Sequence, residues 1–309
     1  MVMKKSNESS FAFANLSTFN LEGLSVSEVI ALEALKIEHR EEYSELNDDK
    51  VKLARHKYFN ITGSKPDDYE EKKLENEQGI VQYGIRHLGG NREIPFICLT
   101  PNYELQSKTE VLSIYHKIKE EFKYFSPLYL KFWTKNPDHG DFYGSVYMVQ
   151  VASKINAMIP WPQEDEINFE KIIDDSYYQW YLEGYRQFHK DFPDQESKVT
   201  VNSVESMSDS LDQQLMFFIN SNDGERIGFI AAERSLFLGH PGIYFQEIFI
   251  DKKFRGQGFA KAIQRKFIAT NIKSDEFVWG TVDSLNVPSF KTAAANNRLP
   301  VRYECFLRL

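Results

Sequence analysis

An α+β chain in two parts is the fold class that the sequence predicts, and three observations predict it. Short apolar runs suited to strands alternate with segments of helical spacing along the 309 residues. The run Asn136-Pro137-Asp138-His139-Gly140 separates an N-terminal α+β part, 1–137, from a second part, 141–309. In the second part an apolar strand, 243–250, leads into Arg255-Gly256-Gln257-Gly258-Phe259-Ala260 and then an amphipathic helix. A strand that delivers two glycines into the first turn of a helix lets backbone N–H groups approach an anion. The helix N-terminus adds roughly half a positive charge.

Residues 24–56 read as helical, because Val26, Val29, Ile30, Leu32, Leu35 and Ile37 form a helix-spaced apolar face among charges. The charged stretch 67–77 reads as a solvated helix face or a loop. Residues 79–87 and 94–99 read as strands joined through Gly89-Gly90-Asn91, a hairpin turn. Val111, Leu112, Ile114, Tyr115 and Ile118 make 109–122 an amphipathic helix, and 127–133 reads as a strand. In the second part 144–155 reads as a strand and 169–190 as one or two helices rich in aromatics. Strands follow at 215–220 and 226–237, around the turn-forming Ser221-Asn222-Asp223-Gly224. The remainder reads as strand 242–250, helix 258–271, strand 277–282, helix 288–296 and strand 301–309.

The glycine loop has two familiar readings that fail. A dinucleotide fingerprint wants G-x-G-x-x-G/A after the first strand of a large sheet, but Lys261 holds the third position and only 262–309 remains. A phosphate P-loop ends in Gly-Lys-Ser/Thr, which is absent here. The residues instead match R-x-x-G-x-A between a strand and a helix, with Asn286 downstream. That pattern resembles the GNAT superfamily of N-acetyltransferases over about the C-terminal half of the chain. The resemblance implies a fold of the α+β/α/β type, a GNAT-like mixed, mostly antiparallel central sheet flanked by helices. The strand–helix–strand order of 1–137 suits a degenerate half-copy of that fold, although it has no glycine cradle. Family members usually close with a hairpin after the last helix, whereas 298–309 leaves room for one strand. The gap is left to the N-terminal part, to a second subunit in a homodimer, or to an exposed edge.

The resemblance also implies acetyl-CoA as cosubstrate, with the loop from Gly256 through Gln257, Gly258, Phe259 and Ala260 to Lys261 holding its pyrophosphate. Arg255 and Lys253 would add charge. The main chain of Ile248, Phe249 and Ile250 would pair with the pantetheine arm, and Asn286 and Ser289 would contact it from the other side. Glu247 is the candidate base. It lies in an otherwise apolar strand, where burial raises a carboxyl pKa towards the range useful for taking a proton. Polyamine acetyltransferases carry acids at the positions of Gln246 and Glu247, and here the second alone is acidic. Many GNAT enzymes place a tyrosine acid seven residues after the asparagine, a position held here by Ala293. Ser289, Tyr303 or water stands in for it. The early helices shape the acceptor pocket in this family, so Phe169, Tyr177, Tyr178, Trp180, Tyr181, Tyr185 and Phe188 would wall it. Asp174, Asp175 and Glu183 among them could attract an ammonium group, with cation–π help from Trp180.

Bulk composition narrows the partners. A net charge of −8 lacks the basic footprint of a nucleic-acid binder. No run approaches the roughly 20 apolar residues of a membrane helix, and the polar 1–10 segment shows no secretory pattern. Disorder is expected in the first dozen residues at most. Two cysteines, Cys98 and Cys305, argue against a disulfide framework and for a cytoplasmic compartment. Seven scattered histidines with no HExxH or Cys-x-x-Cys leave no metal site. The expected reaction is direct acetyl transfer to a small-molecule or peptide amine in a ternary complex. Its rivals are a CoA-binding or partner-binding sensor without turnover, and a longer acyl-CoA donor.

Overall fold

The computed structural model describes residues 7–193, 196 and 199–309. The chain divides into two compact units, Met1–Val146 with Val301–Leu309, and Tyr147–Pro300. The run 136–140 falls inside the first.

The first unit opens with α1 (Asn7–Ser17), so the described part of the polar N-terminal segment is helix; Phe11, Ala12 and Ala14 are buried. The expected helix over 24–56 is two, α2 (Glu28–Leu46) and α3 (Asp49–Phe59). Asp48 breaks it by accepting from the N–H groups of Lys50 and Val51 at 2.8 and 3.3 Å, which caps α3. The charged stretch after it is not simply a solvated face or loop, because it contains β1 (Lys72–Glu75). Its charges suit an edge strand. β1 pairs antiparallel with β2 (Ile80–His87), and β2 pairs antiparallel with β3 (Pro95–Pro101). After β3 the chain crosses through α4 (Lys108–Ile118) to β4 (Tyr129–Thr134), which is parallel to β3. Val111, Ile114 and Ile118 of α4 pack on Val81, Ile85, Ile97 and Leu130 of the sheet. The last strand, β11 (Leu299–Arg308), pairs antiparallel with β4, Tyr303 opposite Thr134 and Arg308 opposite Tyr129. This last strand is thus paired within the first unit. Cys98 and Cys305 are free thiols.

The chain passes into the second unit along β5 (Phe142–Val151), followed by α5 (Ala152–Asn156). The strand β6 (Ile167–Lys171) occupies the start of the stretch expected to be helical, so Phe169 is a strand residue. The helical remainder is α6 (Tyr177–Asp191), and a short α7 (Ser208–Asp212) follows. β6, β7 (Met216–Ser221), β8 (Arg226–Phe237) and β9 (His240–Ile250) form an antiparallel run. From β9 the chain crosses through α8 (Phe259–Asn271) to β10 (Phe277–Asp283), parallel to β9, and then enters α9 (Val287–Ala295).

Both faces of this sheet are covered. On one, Ile230, Ala232, Ile243 and Phe245 pack against Phe259, Ile263, Phe267 and Ile268 of α8. On the other, Phe229, Ala231 and Phe249 pack against Tyr177, Tyr181 and Tyr185 of α6. Burial on both faces is why 227–232 of β8 reads as a continuous apolar run. Among the described residues no helix is long and apolar enough to cross a membrane.

Candidate active site

Past Ile250 a turn over Lys252–Phe254 brings the chain to the glycines. Gly256 has φ 76° and Gly258 φ 87°, a left-handed backbone that costs other residues about 1–2 kcal/mol. A Cβ on Gly256 would meet open space, so this backbone stands clear of its neighbours. Gly258 is the N-cap residue of α8 and provides no side-chain cap. The N–H groups of Phe259, Ala260 and Lys261 belong to the first turn and have no helical carbonyl behind them. With the helix dipole they form a seat for an anion.

This turn borders a cleft of about 850 Å³. The cleft gathers most of the residues expected from sequence: Glu247, Ile248, Phe249 and Ile250 of β9, Arg255, Gly256, Gly258, Phe259, Ala260 and Lys261 of the turn, and Asn286 and Ser289 of the α9 N-terminus. Gln257 is not among the lining residues. Its side chain donates to Lys253 O at 2.8 Å and its carbonyl accepts from Gln163 at 3.0 Å. Lys253 does not line the cleft either; its Nζ pairs with Glu225 at 2.7 Å. Positive charge along the cleft comes from Arg255, Lys261 and Lys291. Arg255 is held by its Nε, which donates to Ile250 O at 2.8 Å, and its guanidinium lies over Phe188 and Phe249. Lys261 Nζ sits 3.6 Å above the Trp161 ring.

The strands on either side of the cleft part company. β9 and β10 pair where Gly242, Ile243 and Tyr244 face Phe277, Val278 and Trp279, and β9 continues to Ile250 beyond that pairing. Its edge there is available to another extended chain. Two of the main-chain groups expected to serve a pantetheine arm already have partners. Ile248 N–H donates to Oε1 of Glu247 at 3.0 Å, and the Ile250 carbonyl accepts from Arg255.

Glu247 owes its direction to a β-bulge. Ala231 faces Glu247 while Ala232 faces Phe245, so Gln246 is the extra residue on β9. Gln246 is held by Ser210 and Glu233 at 2.9 and 2.8 Å. The bulge turns Glu247 towards α6, where Oε2 accepts from the hydroxyls of Tyr181 and Tyr185 at 2.7 and 2.9 Å and from Asn202 Nδ2 at 3.2 Å. Burial raises the Glu247 pKa above its ordinary 4.5, and these hydrogen bonds oppose the rise. Burial, with the nearby carboxylate, pushes both tyrosine hydroxyls upward, so each stays protonated as a donor.

The other expected roles divide. Asn286 uses its side-chain oxygen to accept from Ser289 N–H at 3.1 Å, capping α9. Ser289 lines the cleft; Tyr303 does not. Tyr303 lies on β11 in the first unit and packs against Tyr143, ring centroids 5.2 Å apart. Of the aromatic wall, Tyr185 and Phe188 border the cleft, whereas Tyr177 and Tyr181 are core. Phe169 packs on the α8 face of the sheet against Phe217 and Phe267. Trp180 packs on Phe218 and Phe249 and lies 5.8 Å from the Arg226 guanidinium. Asp174 caps Ser176 N–H and Glu183 pairs with Arg186, both on the solvated side. Asn202 was missed because it sits in a loop without periodicity. The Tyr181–Tyr185 pair carried a legible signal, one face of a helix four residues apart. Among the described residues no group of three or more His, Cys, Asp or Glu is placed to hold a metal ion.

Comparison with known proteins bears on the fold. Residues 171–292 match the model of the acetyltransferase (GNAT) family. A GCN5-related N-acetyltransferase from Sphaerobacter thermophilus is similar in fold, with TM-score 0.52 at 10% identity, covering 98% of this chain and 93% of that one. A GNAT-family acetyltransferase from Colwellia psychrerythraea gives TM-score 0.43 at 12% identity, covering 83% and 96%. No curated protein sequence matches. Residues 171–292 therefore match the GNAT family model, and the mixed sheet with flanking helices is consistent with that fold.

Proposed function

We propose that the second unit transfers an acetyl group from acetyl-CoA to a primary amine, directly, with both substrates bound together. The observation that carries this reading is one cleft lined both by an uncapped, glycine-led helix N-terminus and by Glu247. The residues suit a CoA thioester. Open space at Gly256, the first-turn N–H groups of α8, Arg255 and Lys261 fit a diphosphate, and the unpaired stretch of β9 fits an extended arm. CoA would supply the activated acyl carbon.

The residues of this chain do the rest. Glu247, held by Tyr181, Tyr185 and Asn202, takes the proton that the ammonium or attacking amine gives up. The C–N bond forms as the C–S bond breaks, and the departing thiolate takes a proton from water or from Ser289, whose residue lines the cleft. Ile248 N–H is close enough to the carboxylate to exchange it for a substrate carbonyl, a donor of the kind that stabilises developing negative charge. A thiolate is a good leaving group, so a buried alanine at Ala293, where a tyrosine was expected, is compatible with turnover.

The test is release of free thiol from acetyl-CoA over a panel of primary amines, with calorimetric CoA binding measured in parallel. Turnover that falls about 10²–10⁴-fold in Glu247→Gln, with CoA affinity retained, supports the reading. CoA binding without turnover on any amine overturns it and favours a sensor.

A further inference from the structure

The second unit holds two arginines that are almost fully buried, and they are treated differently. Arg265, 5% exposed, meets both oxygens of Glu164 at 3.1 and 2.9 Å. It also donates to the carbonyls of Asn156 and Met158. Its charge is neutralised in place, as a buried guanidinium requires. Arg298, 3% exposed, donates from Nε and Nη2 to a single carbonyl, Met148 O, at 3.2 and 2.9 Å. Among the described residues no carboxylate stands within ion-pair distance of it. Burial lowers its pKa to about 10, which still leaves it charged at neutral pH.

Arg298 also borders space. A second chamber of about 220 Å³, beside the main cleft and sharing Glu247, Ile248 and Ser289 with it, is lined by Arg298, Gly280 and Thr281. A Cβ on Gly280 would come within 3.0 Å of Arg298 Nη2, so the glycine of β10 makes room for the guanidinium. The chamber would hold on the order of seven waters at about 30 Å³ each, enough for a small polar substituent. The guanidinium has donors beyond those given to Met148, and with the hydroxyls and amides of the wall it suits a planar anion, held against the opposing carboxylates of Asp283 and Glu247 that also line the chamber.

We propose that this chamber binds a carboxylate of a substrate through Arg298, so that the site selects carboxylate-bearing substrates. The inference rests on the reading of Glu247 as the transfer centre. The carboxylate has two sources, the acceptor, as in an α-amino acid, or the acyl donor, as in a dicarboxylic acyl-CoA.

Calorimetry on the full chain separates them. For the acceptor arm, N-acetyl-L-amino acids are compared with their primary amides in the presence of CoA. For the donor arm, succinyl-CoA is compared with butyryl-CoA. The carboxylate should be favoured by at least about tenfold in one arm, and the ratio should fall towards one in Arg298→Gln. Gly280→Ala, which keeps the charge and crowds Nη2, should lower the same ratio. It also decides the matter, with the wild-type ratios, should Arg298→Gln fail to fold. Ratios within about twofold in both arms, or an unchanged ratio in a folded Arg298→Gln, overturn the proposal. Carboxylate preference without transfer to any amine sinks the proposed reaction and leaves this inference standing; transfer without preference does the reverse.

Discussion

The two units contain the same strand–helix–strand crossover, and they finish it differently. In the first, β3 leads through α4 to β4, parallel to β3; in the second, β9 leads through α8 to β10, parallel to β9. The helix α4 satisfies its own N-terminus. Ser107 accepts from Glu110 N–H at 3.3 Å, and Glu110 reaches back to Gln106 N–H at 2.8 Å. The helix α8 begins at a left-handed glycine and caps nothing. The strand before α4 keeps unbroken register with its neighbour, whereas β9 carries the bulge that turns Glu247 aside. One topology thus closes on itself in one unit and is left open to an anion in the other. In the proposed reading, function resides in a cap withheld and a residue inserted.

Experiments can break this contrast. The largest effect belongs to the strand: Glu247→Gln should lower acetyl transfer about 10²–10⁴-fold, read as thiol release, while no comparable residue exists on β3. Next is the cap. Gly258→Asp gives α8 an acidic side chain where α4 has Ser107, on a left-handed backbone. It should weaken CoA binding by at least about tenfold, measured by calorimetry; undiminished affinity would mean that the N-terminus is not the anion seat. A smaller effect concerns pH. The base works deprotonated, so the rise of kcat/KM with pH should be centred above 4.5, the ordinary carboxyl value. Tyr185→Phe removes a bond that favours the ionised form, so that limb should move to higher pH; movement to lower pH would contradict the assignment. The smallest effect belongs to the closed unit. Ser107→Ala should cost about 1 kcal/mol of stability in a denaturant titration and leave CoA affinity where it was.

What the sequence revealed and what it hid follow from these differences. The cradle was legible because an apolar strand, two glycines and an amphipathic helix adjoin in the chain. The same is true of the buried face of α8, where Phe259, Ala262, Ile263, Phe267 and Ile268 recur at helical spacing. The break at Asp48 carried a signal, an N-cap residue, that the continuing apolar spacing masked. β1 was hidden because an edge strand needs no apolar run, and Phe169 because its strand is five residues long beside a helix rich in aromatics. The place of Tyr303 was hidden for a different reason. Its strand follows the last helix in sequence but pairs with β4 of the first unit, a long-range choice that local pattern does not encode. The partners of Glu247 come from α6 and from the loop at Asn202, and the solitude of Arg298 is a property of space alone.

The most direct measurement is backbone hydrogen exchange with and without CoA. The account predicts slowed exchange at the amides of Gly256, Gly258, Phe259, Ala260 and Lys261, with no change over the Ser107–Glu110 turn of α4. Protection confined to other segments, or equal protection at both helix N-termini, would contradict it.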